Sequence, residues 1–253
     1  MTADEADMTM KLRREATGFG AGVRRVLSKK RYRWPLYMLL ITLLALIAFW
    51  FTFMRDLPST DTLLDYEPAL PTFVRDVNGE PVQSFARERR VELAFEEYPP
   101  ELIRAFLAAE DASFFSHGGL DYPGLAAAVF DYVTKIGSGE RARGGSTITQ
   151  QVAKNLLLTD EYSITRKIRE AILATRIEAA LSKERILELY LNQIFLGRNA
   201  YGVQAAARAY FNKDVAELEL HEAAFLAGLP QAPSRYNPST NPDAALERRN
   251  LVL

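Results

Sequence analysis

The chain has 253 residues, 48% hydrophobic and 25% charged, with a net charge of −1, which suits a folded protein of one medium domain or one domain with attachments. It has no cysteine, so disulfides and thiolate metal sites are excluded while the compartment stays open. Its two histidines, His117 and His221, lack metal-ligand spacing, so no histidine metal site is expected.

Residues 1–10 read as disordered. The first 33 residues hold nine Lys/Arg and four acids, so they carry +5 and the rest carries −6. Next comes WPLYMLLITLLALIAFWFTFM, residues 34–54, with no charge in 21 residues. As a helix it would span roughly 30 Å, the thickness of a bilayer core. Trp34, Tyr37, Trp50 and Phe53 give it aromatic ends. Arg55-Asp56-Leu57-Pro58 follows it where a signal peptide would show a small-residue cleavage site, so it reads as an uncleaved anchor. The basic flank places residues 1–33 in the cytoplasm and residues 55–253 outside.

Residues 55–98 read as a linker, rich in Pro, Asp and Thr over 56–70, and then a β-hairpin. Asn78-Gly79 separates the strands Phe73–Val77 and Pro81–Phe85, and Arg90–Phe95 is a candidate third strand. From Pro99 onward the pattern is helical. Helices are predicted at Pro99 to about Phe114, Asp121–Ile136, Ser146–Leu157, Ser163–Leu181, Ser182–Phe195, Gly202–Phe211 and Glu217–Leu229. A flexible basic loop is predicted at 137–145 and a Pro-rich turn region at 230–242. Ala244–Leu253 starts another helix, and ALERRNLVL, at the end, stops mid-pattern and reads as a cut within a longer chain; residues 244–253 would begin a linker.

Ile103, Leu107, Glu110 and Phe114 fall on one helical line, so Glu110 stands where an apolar residue belongs, with Asp111 about 100° round beside it. Desolvation there would raise its pKa and suit it to proton transfer near neutral pH. The bland alternative is a helix end reaching solvent. GGSTITQQVAKN, residues 144–155, sets Thr147, Gln151 and Lys154 on one face, behind a bare helix start suited to an anion. Its alternative is a polar solvent face capped by Ser146. Within 163–178, Arg166 and Lys167 pair with Glu170 at i, i+4 and i, i+3, a pattern that is commonly a surface salt bridge.

The order of the pieces is more specific than any one of them. EDASFFSHGG, GGSTITQQVAKN, RKIRE, KERILELYLNQIFLG and GVQAAARAYF, in that order between about Pro99 and Pro242, resemble the peptidoglycan glycosyltransferases (glycosyltransferase family 51), which polymerise lipid II. The hairpin before them and the chain running on after them look like a class A penicillin-binding protein. No Ser-x-x-Lys occurs in the chain, so no acylating serine and no transpeptidase activity is expected in it.

The resemblance implies a mainly α, lysozyme-like, two-lobed domain over 99–243, with a membrane-facing jaw at about 120–145, behind one transmembrane helix and a short hairpin. It implies Glu110 as the base that takes the proton from the acceptor's 4-hydroxyl. Glu170 would be a second catalytic residue organising the donor's pyrophosphate, with a divalent cation (Mg or Mn) as cofactor. Lys154, Arg166 and Lys167 would supply positive charge, and Thr147, Gln150 and Gln151 would line the cleft. Asp111, Phe114 and His117 would shape the site around Glu110. Asn212 replaces a common glycine and is expected to keep a left-handed turn. The expected partners are lipid II, the growing glycan chain, the bilayer and cell-wall synthesis or division proteins, not nucleic acid. The expected location is the bacterial inner membrane. The rivals are a lysozyme-like glycan-cleaving enzyme and an inactive anchored scaffold.

Overall fold

The computed structural model describes residues 30–63, 72–78, 81–85, 91–135, 144–158 and 163–253. The disorder expected at 1–10, most of the basic loop at 137–145, residues 64–70 of the linker and Gly79 of the hairpin turn lie outside the described residues. The chain divides into two compact units, Met1–Asp56 and Leu57–Leu253.

In the first unit, α1 (Lys30–Phe49) runs on into a wider turn at Trp50–Met54. The span Trp34–Met54 has a mean hydropathy of 2.3 and none of it is buried. It is long and apolar enough to cross a bilayer. Thr42 donates to the Met38 carbonyl at 2.9 Å, so its hydroxyl is satisfied within the helix.

The second unit opens on an antiparallel hairpin of β1 (Thr72–Arg75) and β2 (Pro81–Phe85), with Thr72 opposite Phe85 and a bulge at Val74/Arg75. Asp76 accepts from the Asn78 N–H at 2.9 Å and tightens the turn. The third strand predicted at Arg90–Phe95 does not form over its described residues; 91–94 is irregular and Phe95–Glu97 is a 3-10 turn. The reason is a side chain. The Asn192 amide accepts from the Leu93 N–H at 3.1 Å and donates to the Leu93 carbonyl at 2.8 Å, doing the work of a neighbouring strand. Tyr98 donates to the same amide oxygen at 2.8 Å. Asn192→Ala strands these buried groups, and urea unfolding is expected to show a loss of about 2–3 kcal/mol.

Eight helices follow among the described residues: α2 (Pro100–Glu110), α3 (Tyr122–Thr134), α4 (Ile148–Leu157), α5 (Ile164–Ala180), α6 (Lys183–Gln193), α7 (Val203–Phe211), α8 (Leu220–Gly228) and α9 (Pro242–Val252). Their starts have local causes. Pro100 occupies the first turn of α2, Asp121 accepts from the Gly124 N–H, and Ser163 and Ser182 accept from the N–H groups of Arg166 and Arg185. Asn212 ends α7 at φ 55°, ψ 38°, the expected left-handed turn.

Helix α6 is buried on nearly every side from Ile186 onward, its polar Asn192 and Gln193 included, and packs against α4, α5 and α7. Helix α2 packs on α8, and α8 on α9. One core runs through both sets, joined where Phe106 of α2 meets Tyr190 of α6 edge-on, 6.2 Å between ring centres. The helix expected to start at Ala244 thus forms, from Pro242, and packs on α8. Helix α3 instead leaves Tyr122, Leu125, Val129, Phe130, Tyr132 and Val133 exposed.

Candidate active site

Helix α2 ends at Glu110, short of the predicted Phe114, because Asp111 leaves helical geometry at φ −159°. Phe114 falls in a separate 3-10 turn, so the helical line that was to carry it breaks at Glu110. Glu110 itself stays on the Ile103–Leu107 side and is partly buried. Burial pushes its pKa up; Gln151 and the charge of Arg248 pull it down, and Asp111 pushes it up. The Gln151 amide donates to Glu110 Oε2 at 2.8 Å, from one turn inside α4.

Asp111 is buried and multiply engaged. Its carboxylate meets His117 Nε2 at 3.0 and 3.1 Å and accepts from the Ile148 N–H at 3.0 Å. The start of α4, expected to hold a substrate anion, therefore holds the chain's own carboxylate. The Gly119 N–H donates to His117 Nδ1 at 3.2 Å, which assigns the ring proton to Nε2, where it points at Asp111. Thr147, not Ser146, caps α4, in a capping box with Gln150: Thr147 Oγ1 accepts from the Gln150 N–H at 3.2 Å, and Gln150 Oε1 from the Thr147 N–H at 3.0 Å. The Thr147 hydroxyl donates to the Gly119 carbonyl at 2.7 Å. Thr147, Gln150 and Phe114 are buried and hold the loop, while Gln151 reaches Glu110 and Lys154 stands in solvent.

The 114–119 loop is anchored from α5 and α6 by residues that spacing did not reveal. Lys183 donates to the His117 carbonyl and to Glu178, both at 2.7 Å, and its ammonium lies 4.3 Å from the centre of the Phe114 ring. Thr149 donates to the same Glu178 oxygen at 2.6 Å. Gly119 has φ +92°, and a Cβ there would come within 2.8 Å of the Ala174 backbone, so the loop lies hard against α5. Lys183 sits in a stretch that reads as core-building helix, and no sequence signal separates it from a surface lysine. Arg248 on α9 was missed for a similar reason: it packs on Gly228, and only the tertiary fold brings its charge to Glu110.

Glu170 is buried, its side chain 1% exposed, with Arg166 at 3.0 Å (side chain 12% exposed) and Lys167 at 2.6 Å (52% exposed). The surface-pair alternative therefore fails for Glu170 and Arg166. Lys167 also donates to Ser146 at 2.8 Å, just before α4. The first turns of α4 thus connect to Glu110 through Gln151 and to Glu170 through Ser146 and Lys167. A divalent cation at Glu170 fits poorly. Both carboxylate oxygens already face cations, and no group of three His, Cys, Asp or Glu side chains among the described residues could hold an ion. Chemically, the site offers a partly desolvated carboxylate, a fixed amide beside it, and cationic side chains around a second, buried carboxylate.

The transglycosylase family model matches residues 78–253. Penicillin-binding protein 1A of Neisseria lactamica is 50% identical over 197 residues, 78% of this chain and 24% of that protein. Its counterpart in Rickettsia felis is 47% identical over 201 residues, 79% of this chain and 25% of that protein. The chain thus spans about a quarter of the length of these curated relatives. A solved structure of penicillin-binding protein 1A from Haemophilus influenzae is 28% identical, over 74% of this chain and 18% of that one, with a TM-score of 0.38.

Proposed function

The chain belongs to the transglycosylase family, and on that premise we propose that it polymerises lipid II into peptidoglycan glycan strands at the outer face of the bacterial inner membrane. The acceptor is lipid II and the donor is the growing chain on its lipid pyrophosphate. Glu110 takes the proton of the acceptor's 4-hydroxyl. The oxygen attacks the donor's anomeric carbon, the bond to the lipid pyrophosphate breaks, and the α-linkage is replaced by a β-linkage. The single observation that carries this reading is Glu110, held by Gln151 at 2.8 Å with its pKa raised by burial. The pyrophosphate is a good leaving group that needs charge more than a proton, and Lys154, Lys167 and Arg166 are the cations for it. Glu170 holds Arg166 and Lys167 in place. No step is routed through a metal ion.

The reaction is tested by giving the full chain, in detergent, labelled lipid II or preformed glycan strands. A ladder of long glycans is the expected product. Shortened preformed strands would instead favour a hydrolase, and no change in either substrate would favour a scaffold.

The exposed apolar side of α3 is read as the surface that meets lipid, with Trp34–Met54 as the anchor and residues 1–33 in the cytoplasm. In a chain beginning at Leu57, replacing both Val129 and Phe130 by Ser is expected to weaken flotation with anionic liposomes about tenfold, at unchanged thermal stability. Unchanged flotation would remove this surface from the account.

A further inference from the structure

Tyr190 has no task in the chemistry above, yet it lies under the site. It is 1% exposed, and its hydroxyl finds no hydrogen-bond partner among the described residues. Leaving a buried hydroxyl unpaired costs about 1–3 kcal/mol, a cost that phenylalanine, with the same ring, would not carry. Its ring meets Phe106 edge-on at 6.2 Å. Phe106 precedes Glu110 by four residues on α2, one turn along the same side. The negative charges of Glu110 and Asp111 both act on the phenol, which burial already keeps protonated, so the hydroxyl lies within electrostatic reach of the two carboxylates.

The other polar groups of this cluster are engaged. Gln151 is on Glu110, and His117 and the Ile148 N–H are on Asp111. Acting on Glu110 are Asp111 at the end of its own helix, the Gln151 amide from α4 and the charge of Arg248 from α9, and the Glu110 charge in turn acts on the Tyr190 hydroxyl from α6. From α8, Glu222 is taken up by Lys213 at 2.9 Å. Resting on the reading of Glu110 as the base, we propose that Tyr190 is a positioning residue for it: the phenol hydroxyl donates a hydrogen bond to the Glu110 carboxylate, directly or through one bound water, when that carboxylate ionises. Such a bond favours the charged form, draws the base's pKa back from the value burial alone would set, and fixes the direction of its free lone pairs.

The test follows Glu110 itself. Its titration is read by carbon NMR of the full chain labelled at glutamate carboxyls, the signal being assigned by its loss in Glu110→Gln. Tyr190→Phe is expected to move that titration upward by about 0.5 unit or more, with thermal stability equal or higher. Replacing Tyr190 by 3,5-difluorotyrosine, a stronger donor of nearly the same shape, is expected to move it downward. That second variant decides the matter if Tyr190→Phe fails to fold. A titration unmoved by either change would overturn the proposal and leave Tyr190 as core packing. The polymerisation rate is recorded in parallel. If Glu110→Gln still polymerises lipid II, the base assignment fails, whereas the titration shift still reports on the Tyr190 bond.

Discussion

Glu110→Gln is expected to abolish glycan polymerisation while making the folded chain more stable above neutral pH. The first effect is the loss of the proton acceptor, a drop of about 10²- to 10⁴-fold in rate. A carboxamide cannot take the acceptor's proton, although its oxygen still accepts from Gln151, so the geometry persists. The second effect follows from linkage. Burial raises the folded-state pKa of Glu110 above its unfolded value. The stability tied to its protonated form is fully present below the unfolded pKa, and it is lost as pH rises through the folded one. The amide never ionises and keeps that stability. The variant's melting temperature should therefore exceed the parent's at pH 8 and converge with it near pH 4. Parent activity should fall on the acid side as Glu110 takes up its proton. Equal melting curves at both pH values would mean that the desolvation of Glu110 is not felt.

Glu170→Gln is expected to destabilise the fold severely. Arg166, with a side chain only 12% exposed, would be left as a buried charge facing an amide. Breaking one side of a buried pair costs about 3–5 kcal/mol, a large share of the stability of an ordinary domain. Lys167 contributes little to that cost, because at 52% exposure its pair with Glu170 is largely screened. Replacing Arg166 by Met together with Glu170 by Leu removes both charges at similar volume and should recover most of the stability. It should not recover polymerisation, since the cation is gone. Urea unfolding measures the first half of this expectation and the lipid II rate measures the second. A double variant as unstable as the single one would mean that the pair fixes packing rather than charge.

The apolar line Ile103–Leu107–Glu110 was legible in the sequence because it is local, and so were the order of the motifs, the anchor span and the helix starts at Asp121, Ser163 and Ser182. The misreadings were made by bonds that cross long stretches of chain. The wheel ran on to Phe114 because nothing local says that Asp111 turns away to accept from Ile148, 37 residues on. The strand expected at Arg90–Phe95 gives way because the partner of its backbone is the side chain of Asn192, 99 residues from Leu93. Glu170 looked like half of a surface pair because i, i+4 spacing carries no record of what packs over it. Ser146 looked like the cap of α4, but the Thr147–Gln150 capping box, itself a local signature, was the better reading. Lys183 and Arg248 carry no periodic or compositional mark, and Tyr190 is marked only as core, by its packing spacing with Leu187, Leu191 and Ile194. Their places come from helix packing alone.

Whether Glu110 is the base is read by giving labelled lipid II to the parent and to Glu110→Gln, side by side at equal concentration in detergent, after both are shown to be folded. A ladder of long glycans from the parent and unconverted lipid II from the variant are expected. Equal ladders from both would contradict that assignment, because the proton of the acceptor's 4-hydroxyl would then be going somewhere other than Glu110.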